Sequence, residues 1–246
     1  PTRKQEAWRL TDLKRLEALA TLPEVSEISD PLMPAVSDGV TRLVLGGQRD
    51  PLDGVSLPEG VTPLTEAELN RHLGQTLDHC GCAEAWPVEL NQAHSQHVLA
   101  LRVCGKVPAL ELVLASGVGL TATRVLLLLE DNAELELLQV FPPGSSSSDG
   151  QCAHSHVLEV HLGQNARLRH GVLASGTGNA SLMVHLAIEQ EPSSHYGLTS
   201  VCRGWRFGRL EPRVLQLEGQ ATTGIHGLSL TTADEQFATH SSMRFG

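Results

Sequence analysis

Leu128-Leu129-Glu130-Asp131-Asn132-Ala133-Glu134-Leu135 and Val160-His161-Leu162-Gly163-Gln164-Asn165-Ala166-Arg167-Leu168 decide the fold. Each is an apolar run, a tight polar turn ending in Ala, and a second apolar run. Leu215-Gln216-Leu217-Glu218-Gly219-Gln220-Ala221 echoes both. The interval drifts around roughly thirty residues, the range of repeat architectures. Further short runs surround these units from about Val98 onward. Leu99, Leu101 and Val103 alternate with other residues, as do Leu110, Leu112 and Leu114. Val125–Leu129, Leu135–Val140, Val157–Leu162, Ala166–Leu173, Leu182–Ile188, Val214–Leu217 and Thr223–Leu230 follow, with Gly, Asn, Asp, Gln and Ser between them. Each run has the length of a strand. Such a pattern suits a solenoid whose coils bury their inner faces on one another. It also suits a β-sandwich of hairpins, and alternation alone does not separate the two.

The N-terminal part has a different texture. Asp12 can cap a helix running to about Leu22, with Leu13, Leu16 and Leu19 as its buried stripe and Pro23 ending it. Glu24 to Pro63 is rich in Pro, Gly and Asp, and holds one strand candidate, Thr41–Leu45, before Gly46-Gly47. Thr65 and Glu68 make a capping box, and Leu64 and Leu69 a hydrophobic staple, for a second helix extending to about Leu77. The expected organisation is therefore a mainly helical region, 1–95, and a strand region, 96–246. Ser145 to Ser148, after Pro142, Pro143 and Gly144, read as a surface loop within the strands. The helical region could cap one end of the stack. Thr239 to Gly246 carries no cap, so the strand region is expected to be truncated at its C-terminal end.

Composition narrows the function classes. The chain has 246 residues, 3% of them aromatic, so its core must be built from Leu, Val, Ile and Ala. A net charge of −10 argues against nucleic acid or an anionic membrane as the main partner. No apolar run approaches the roughly 18 residues of a membrane span. No basic–apolar–small pattern opens the chain, so no secretory signal is expected. The 5 cysteines, Cys80, Cys82, Cys104, Cys152 and Cys202, are scattered. They read as reduced thiols of a cytoplasmic protein rather than a disulfide framework.

No chemistry-bearing motif stands out. Gly105-Lys106 lacks the remainder of a phosphate-binding loop. No Gly-x-Ser-x-Gly elbow and no His-Glu-x-x-His helix is present. His154, His156, His161 and His170 lie close in sequence beside Cys152 and are the foremost metal candidate, since imidazole and thiolate both ligate transition metals. The plainer reading is preferred: strand histidines on an outward face need no metal. His79 with Cys80-Gly81-Cys82 is a second candidate, but structural zinc wants a Cys-x-x-Cys pair and a second pair elsewhere. Cys104 and Cys202 read as small core residues. Carboxylates are numerous, but aromatic surfaces for stacking sugar are few.

Glu6-Ala7-Trp8-Arg9-Leu10-Thr11-Asp12-Leu13, within Lys4–Leu16, resembles the opening signature of the SufB/SufD family of iron–sulfur cluster assembly proteins. Leu90-Asn91-Gln92-Ala93 resembles the Leu-Asn-x-Ala segment leading into that family's first strands. Leu217-Glu218-Gly219 and Gly227-Leu228 resemble pieces of its solenoid. The resemblance favours the SufD branch, because the signature opens the chain directly and no cysteine-rich cluster-binding segment appears. It implies a right-handed parallel β-helix. It also implies a non-catalytic scaffold subunit, SufD-like, that acts with a SufB-like subunit and a SufC-like ATPase, the complex handling the iron–sulfur cluster; homodimers are conceivable. The branch's functional histidine and its SufC-docking helices lie toward the family's C-terminus, and nothing here matches them. No residue is therefore assigned as catalytic, cofactor-binding or metal-ligating. Trp8 is expected to pack the first helix onto the body, with Arg9 paired to a carboxylate. The alternatives are a carbohydrate-active β-helix enzyme and a structural or interaction solenoid.

The expected core comprises Leu126, Leu128, Leu135, Leu137, Val160, Leu162, Leu168 and Val172.

Overall fold

The computed structural model describes residues 1–2, 4–5, 8–9, 11–25, 28, 33–46, 50–143 and 151–246. Glu6, Ala7 and Leu10 of the N-terminal signature, Gly47, and the Ser145–Ser148 loop lie outside the described residues. The helices among the described residues are α1 (Leu13–Leu19), α2 (Glu66–His72), α3 (Gln75–His79) and α4 (Trp86–His94). The early strands are β1 (Thr41–Leu45), β2 (Val61–Pro63), β3 (Val98–Val103), β4 (Lys106–Leu114) and β5 (Gly119–Leu129). Then come β6 (Glu134–Phe141), β7 (Cys152–Leu162), β8 (Arg167–Ser175), β9 (Ser181–Gln190) and β10 (His195–Arg203). The chain closes with β11 (Phe207–Gln216), β12 (Thr222–Leu230), β13 (Gln236–Thr239) and β14 (Ser242–Phe245).

From β3 to β13, odd and even strands separate into two sheets. The first runs β13-β11-β9-β7-β5-β3-β2, with β14 also on β11, and the second runs β1-β4-β6-β8-β10-β12. Every pairing is parallel except β2 with β3. The chain is thus a parallel β-solenoid of about five turns, not a sandwich of hairpins. Each coil supplies one strand to each sheet.

The turn that closes each coil explains the recurring sequence unit. Asn132, Asn165 and Gln220 sit at corresponding turns with φ of 61°, 59° and 70°. Asn tolerates this left-handed region better than other non-glycine residues. The Asn165 side-chain amide donates to Asn132 Oδ1 at 3.4 Å, and the Asn132 N–H donates to the Gln164 carbonyl at 2.8 Å. Ala133 and Ala166 follow, fully buried, because only a small side chain fits inside the bend. A Cβ at Gly163 would meet the Asp131 backbone N at 2.8 Å, so neighbouring turns stack closely there.

Between the sheets the lumen is packed with aliphatic side chains. Leu110, Leu135, Leu137, Leu168, Val172 and Leu198 from one sheet meet Val125, Leu127, Leu158, Val160, Leu162 and Leu186 from the other. Of the expected core residues, Leu135, Leu137, Val160, Leu162, Leu168 and Val172 lie here. Leu126 and Leu128 are buried, but on the opposite face of β5. They pack with Ala100 against Leu64, Leu69 and Val98 under α2. Alternation forces this result: with Val125, Leu127 and Leu129 inward, the even-numbered neighbours must point out.

The two sheets differ on their outer faces. The helices α3 and α4 cover the first, so β7 and β9 are buried along almost their whole length. On the second sheet β8 and β10 alternate between buried and accessible positions. β10 was not expected as a strand because its inward row, Tyr196, Leu198, Ser200 and Cys202, mixes polar and apolar residues.

The helices are shorter than expected. α1 starts on Asp12, whose carboxylate accepts from the Lys14 and Arg15 N–H groups, and ends at Leu19. α2 has the expected capping box but stops at His72. Gly74, at φ 88°, then turns its N–H onto the buried Glu159 carboxylate at 2.9 Å. That bond ends α2 and starts α3 as a separate helix.

Candidate functional site

The histidines expected on an outward face are mostly inside. Even-numbered residues of β7 point into the lumen, so His154 and His156 are buried, and His170 of β8 faces them. They form one hydrogen-bonded chain. Thr123 Oγ1 lies 2.9 Å from His154 Nε2 and 2.8 Å from His156 Nδ1. The Gln139 amide links His156 Nε2 at 2.7 Å to His170 Nε2 at 2.9 Å, and His170 Nδ1 lies 3.0 Å from the Tyr196 hydroxyl. The Phe141 ring meets His154 and His156 edge-on, with centroids 5.2 and 5.5 Å apart. Burial pushes His154 and His170 down to about 3 and His156 well below its ordinary value. All three are neutral at physiological pH. Both ring nitrogens of His156 and His170, and Nε2 of His154, are engaged in these contacts, which is the work of a polar plug in an apolar lumen.

A second polar system lies on the outer face of the first sheet, beneath the N-terminal segment. Arg124 donates to Glu159 at 2.8 Å, both fully buried. Glu211 takes Arg209, Arg213 at 3.0 Å and His185 at 3.4 Å. Burial alone would raise the Glu211 carboxyl. The nearby His185 and the charge of Arg209 outweigh it and hold the group at about 2. Arg209 Cζ also stands 4.0 Å from the centroid of the Trp8 ring, and Arg209 Nη1 donates to Thr11 Oγ1 at 3.4 Å. Trp8 packs with Leu16, Leu19, Leu90, Leu120, Ala153, Met183 and Phe207. It therefore fixes the first helix to the body. Arg9 is exposed and has no ion pair among the described residues; the arginine that serves Trp8 is Arg209.

Asn91 gives the Leu90-Asn91-Gln92-Ala93 segment a physical meaning. It is fully buried on α4, and its amide donates to the carbonyls of Thr123 and Ser155, each at 3.0 Å. One side chain thus clasps β5 and β7 together.

The two sequence-level metal candidates are taken apart, and one member of each is brought together. His161 of β7 points outward, away from His154, His156 and His170, and lies beside Glu189 of β9 in register. Its Nδ1 is 3.8 Å from Glu189 Oε2, an ion-pair distance that still draws the imidazole pKa upward through that carboxylate. His79, at the end of α3, donates from Nδ1 to the same oxygen at 2.9 Å. Glu191 completes a group in which one donor atom each of His161, Glu189 and Glu191 lie within 4.8 Å of one another. Aligning Val160-His161-Leu162 with Ile188-Glu189-Gln190 as equivalent repeat positions would have found this neighbourhood in the sequence.

No thiol is among these three donors, although Cys80 lies near enough to Glu189 for that carboxylate to help burial raise its pKa. Cys80 and Cys82 are buried against Leu77, Val88 and Val157, and burial pushes both up to about 12. Cys202 is buried in the lumen and likewise pushed up to about 12, and Cys152 is also raised by burial. Cys104, expected in the core, is only half-buried. It sits at the turn after β3, where a hydrogen bond to Glu130 raises its pKa.

Residues 112–246 match the family described as SUF system FeS cluster assembly, SufBD core domain. These residues are more than half of the chain and include every strand from β5 to β14. The chain belongs to the SufBD family. SufBD proteins are components of the SUF system for iron–sulfur cluster assembly. The chain is also similar to the protein ABCI7, chloroplastic, of Arabidopsis thaliana, at 24% identity over 265 residues. That alignment covers 99% of this chain and 55% of the relative, so the chain spans about half of the relative's length. No helix among the described residues of this SufBD chain is long and apolar enough to cross a membrane.

Proposed function

We propose that the chain is a SufD-like, non-catalytic scaffold subunit of an iron–sulfur cluster assembly complex, acting with a SufB-like subunit and a SufC-like ATPase. The observation that carries this reading is the SufBD match over 112–246, the residues that build the coils from β5 onward. The state of the thiols supports a subunit that shapes the complex rather than ligating the cluster. Burial keeps Cys80, Cys82 and Cys202 protonated at neutral pH, whereas cluster and metal ligation need thiolates. The free edge of β12, with Leu228 and Leu230 exposed, is the proposed surface for continuing the sheet into further coils, a related subunit or a second copy. The organisation into a helical region over 1–95 and a solenoid over 96–246 belongs to the same proposal.

Co-expression with SufB-like and SufC-like subunits tests it. The expected outcome is one co-eluting complex in which reconstituted cluster follows the SufB-like subunit. A chain that elutes alone beside both partners, or assembles a cluster by itself through its own thiols, sinks the reading.

A further inference from the structure

A parallel solenoid places each residue beside its equivalent one coil away, so side chains distant in sequence form rows on a rigid sheet. The row at the C-terminal ends of β7 and β9 is unusual on the outer face. His161 and Glu189 are direct register partners, and Glu191, two residues beyond Glu189, comes to the same place just after the strand. The Glu191 N–H donates to the Leu162 carbonyl at 2.9 Å, which anchors it there. Donor atoms of the three side chains lie within 4.8 Å of one another. Nitrogen and oxygen ligands about 2.0–2.2 Å from a tetrahedral zinc ion stand roughly 3.4 Å apart, so side-chain rotation of a few tenths of an ångström to about one closes the set.

The surroundings suit a cation. Asp131 lends a further negative charge to His161 and is itself fixed by the Gln164 N–H at 2.8 Å. His79 Nδ1 holds Glu189 Oε2 at 2.9 Å, the way an outer imidazole orients a ligating carboxylate. The His161 side chain keeps 35% of its surface exposed while that of Glu189 keeps 7%, so an ion can enter from solvent and be held from below. Arg244 reaches only the backbone side of His79, donating to its carbonyl at 3.4 Å.

We propose that His161, Glu189 and Glu191 bind a divalent first-row transition ion of the zinc, iron(II) or manganese(II) kind, with His79 as the positioning residue for Glu189. One imidazole with two carboxylates selects this class. An imidazole donor is foreign to calcium and magnesium cages, and the absence of a thiolate from the donor set disfavours copper(I). Three protein ligands leave open positions for water or for a donor from another molecule. The inference goes beyond the assembly role and holds whether or not the proposed partners are the true ones.

Cobalt(II) is the probe, because its visible d–d bands report coordination number. Titrating the metal-stripped full chain should give one saturable equivalent with d–d bands of a four- or five-coordinate nitrogen–oxygen site, displaced by zinc(II). His161→Gln and Glu191→Gln, both at partly accessible positions, should each weaken binding by at least roughly tenfold while circular dichroism stays unchanged. His79→Gln should weaken binding by roughly tenfold and shift the bands, as a positioning role requires. Absence of saturable binding overturns the proposal. So does binding that survives the His161→Gln/Glu191→Gln double variant, or thiolate-to-cobalt charge-transfer bands, which would place the ion on the cysteines.

Discussion

Arg209 of β11 stacks its guanidinium 4.0 Å from the centroid of the Trp8 ring. The same guanidinium is ion-paired to the buried carboxylate of Glu211. A residue near the start of the chain is thereby tied to a late coil, and the tie buries a charge. Such a charge is tolerable only while its partner is present.

Trp8→Ala should therefore destabilise the protein by about 3–5 kcal/mol, the range for deleting a large buried aromatic. Arg209→Met should cost a similar amount, about 3–5 kcal/mol, because it strips Glu211 of a partner in a buried site. Combining Arg209→Met with Glu211→Gln should recover part of that loss. Denaturant unfolding of the four proteins decides it, and a double variant less stable than Arg209→Met alone contradicts the account.

Acid should destabilise the solenoid in two stages. His154 and His170 are held at about 3 when folded, below the 6.5 of the free side chain, and His156 is lowered too. The unfolded chain therefore takes up these protons first. Stability is fully present above about pH 6.5 and falls as the pH drops toward 3, by about 1.4 kcal/mol per unit for each histidine. Glu211 adds a second loss as the pH falls from 4.5 toward 2. A His154→Gln/His156→Gln variant that stays folded should show a shallower decline between pH 6 and 4 in thermal melts.

Leu162→Ala in the lumen should cost about 2–5 kcal/mol of global stability. Leu126→Ala, on the outer face, should cost a comparable amount but loosen α2 from the sheet first. Hydrogen exchange separates the two: Leu162→Ala raises exchange through the coils, and Leu126→Ala raises it first over 64–73. Equal exchange profiles would refute the assignment of opposite faces.

Asn91→Ala removes both clasping hydrogen bonds from the carbonyls of Thr123 and Ser155. The expected cost is about 1–3 kcal/mol, concentrated in detachment of α4. Limited proteolysis should then cleave around 94–97 faster than in the parent protein.

The isolated chain should neither bind nor hydrolyse ATP, since Gly105 precedes a β-strand that Lys106 opens, without a phosphate-cradling loop or a helix N-terminus behind it. Turnover that persists after contaminating ATPases are removed would contradict this.

The coil architecture was readable because two local requirements repeat. The bend between sheets needs a residue that accepts a left-handed backbone followed by one small enough to sit inside it; Asn132-Ala133, Asn165-Ala166 and Gln220-Ala221 declare it, while the equivalent bend at Ser193-Ser194 meets the same need with a different pair. Alternation over Glu134–Phe141 and Arg167–Ser175 marks strands with one face in the core and one accessible. The same rule was silent for Val125–Leu129, because helices bury the outer face as well and every position is apolar. Only the tertiary structure put Leu127 in the lumen and Leu126 under α2. Only it sent His154, His156 and His170 inward and brought His79 from α3 to the Glu189 beside His161. Pleating decides the face a strand residue takes, and pairing across coils decides its neighbours. The second depends on contacts roughly thirty residues away along the chain, which no local pattern of the sequence encodes.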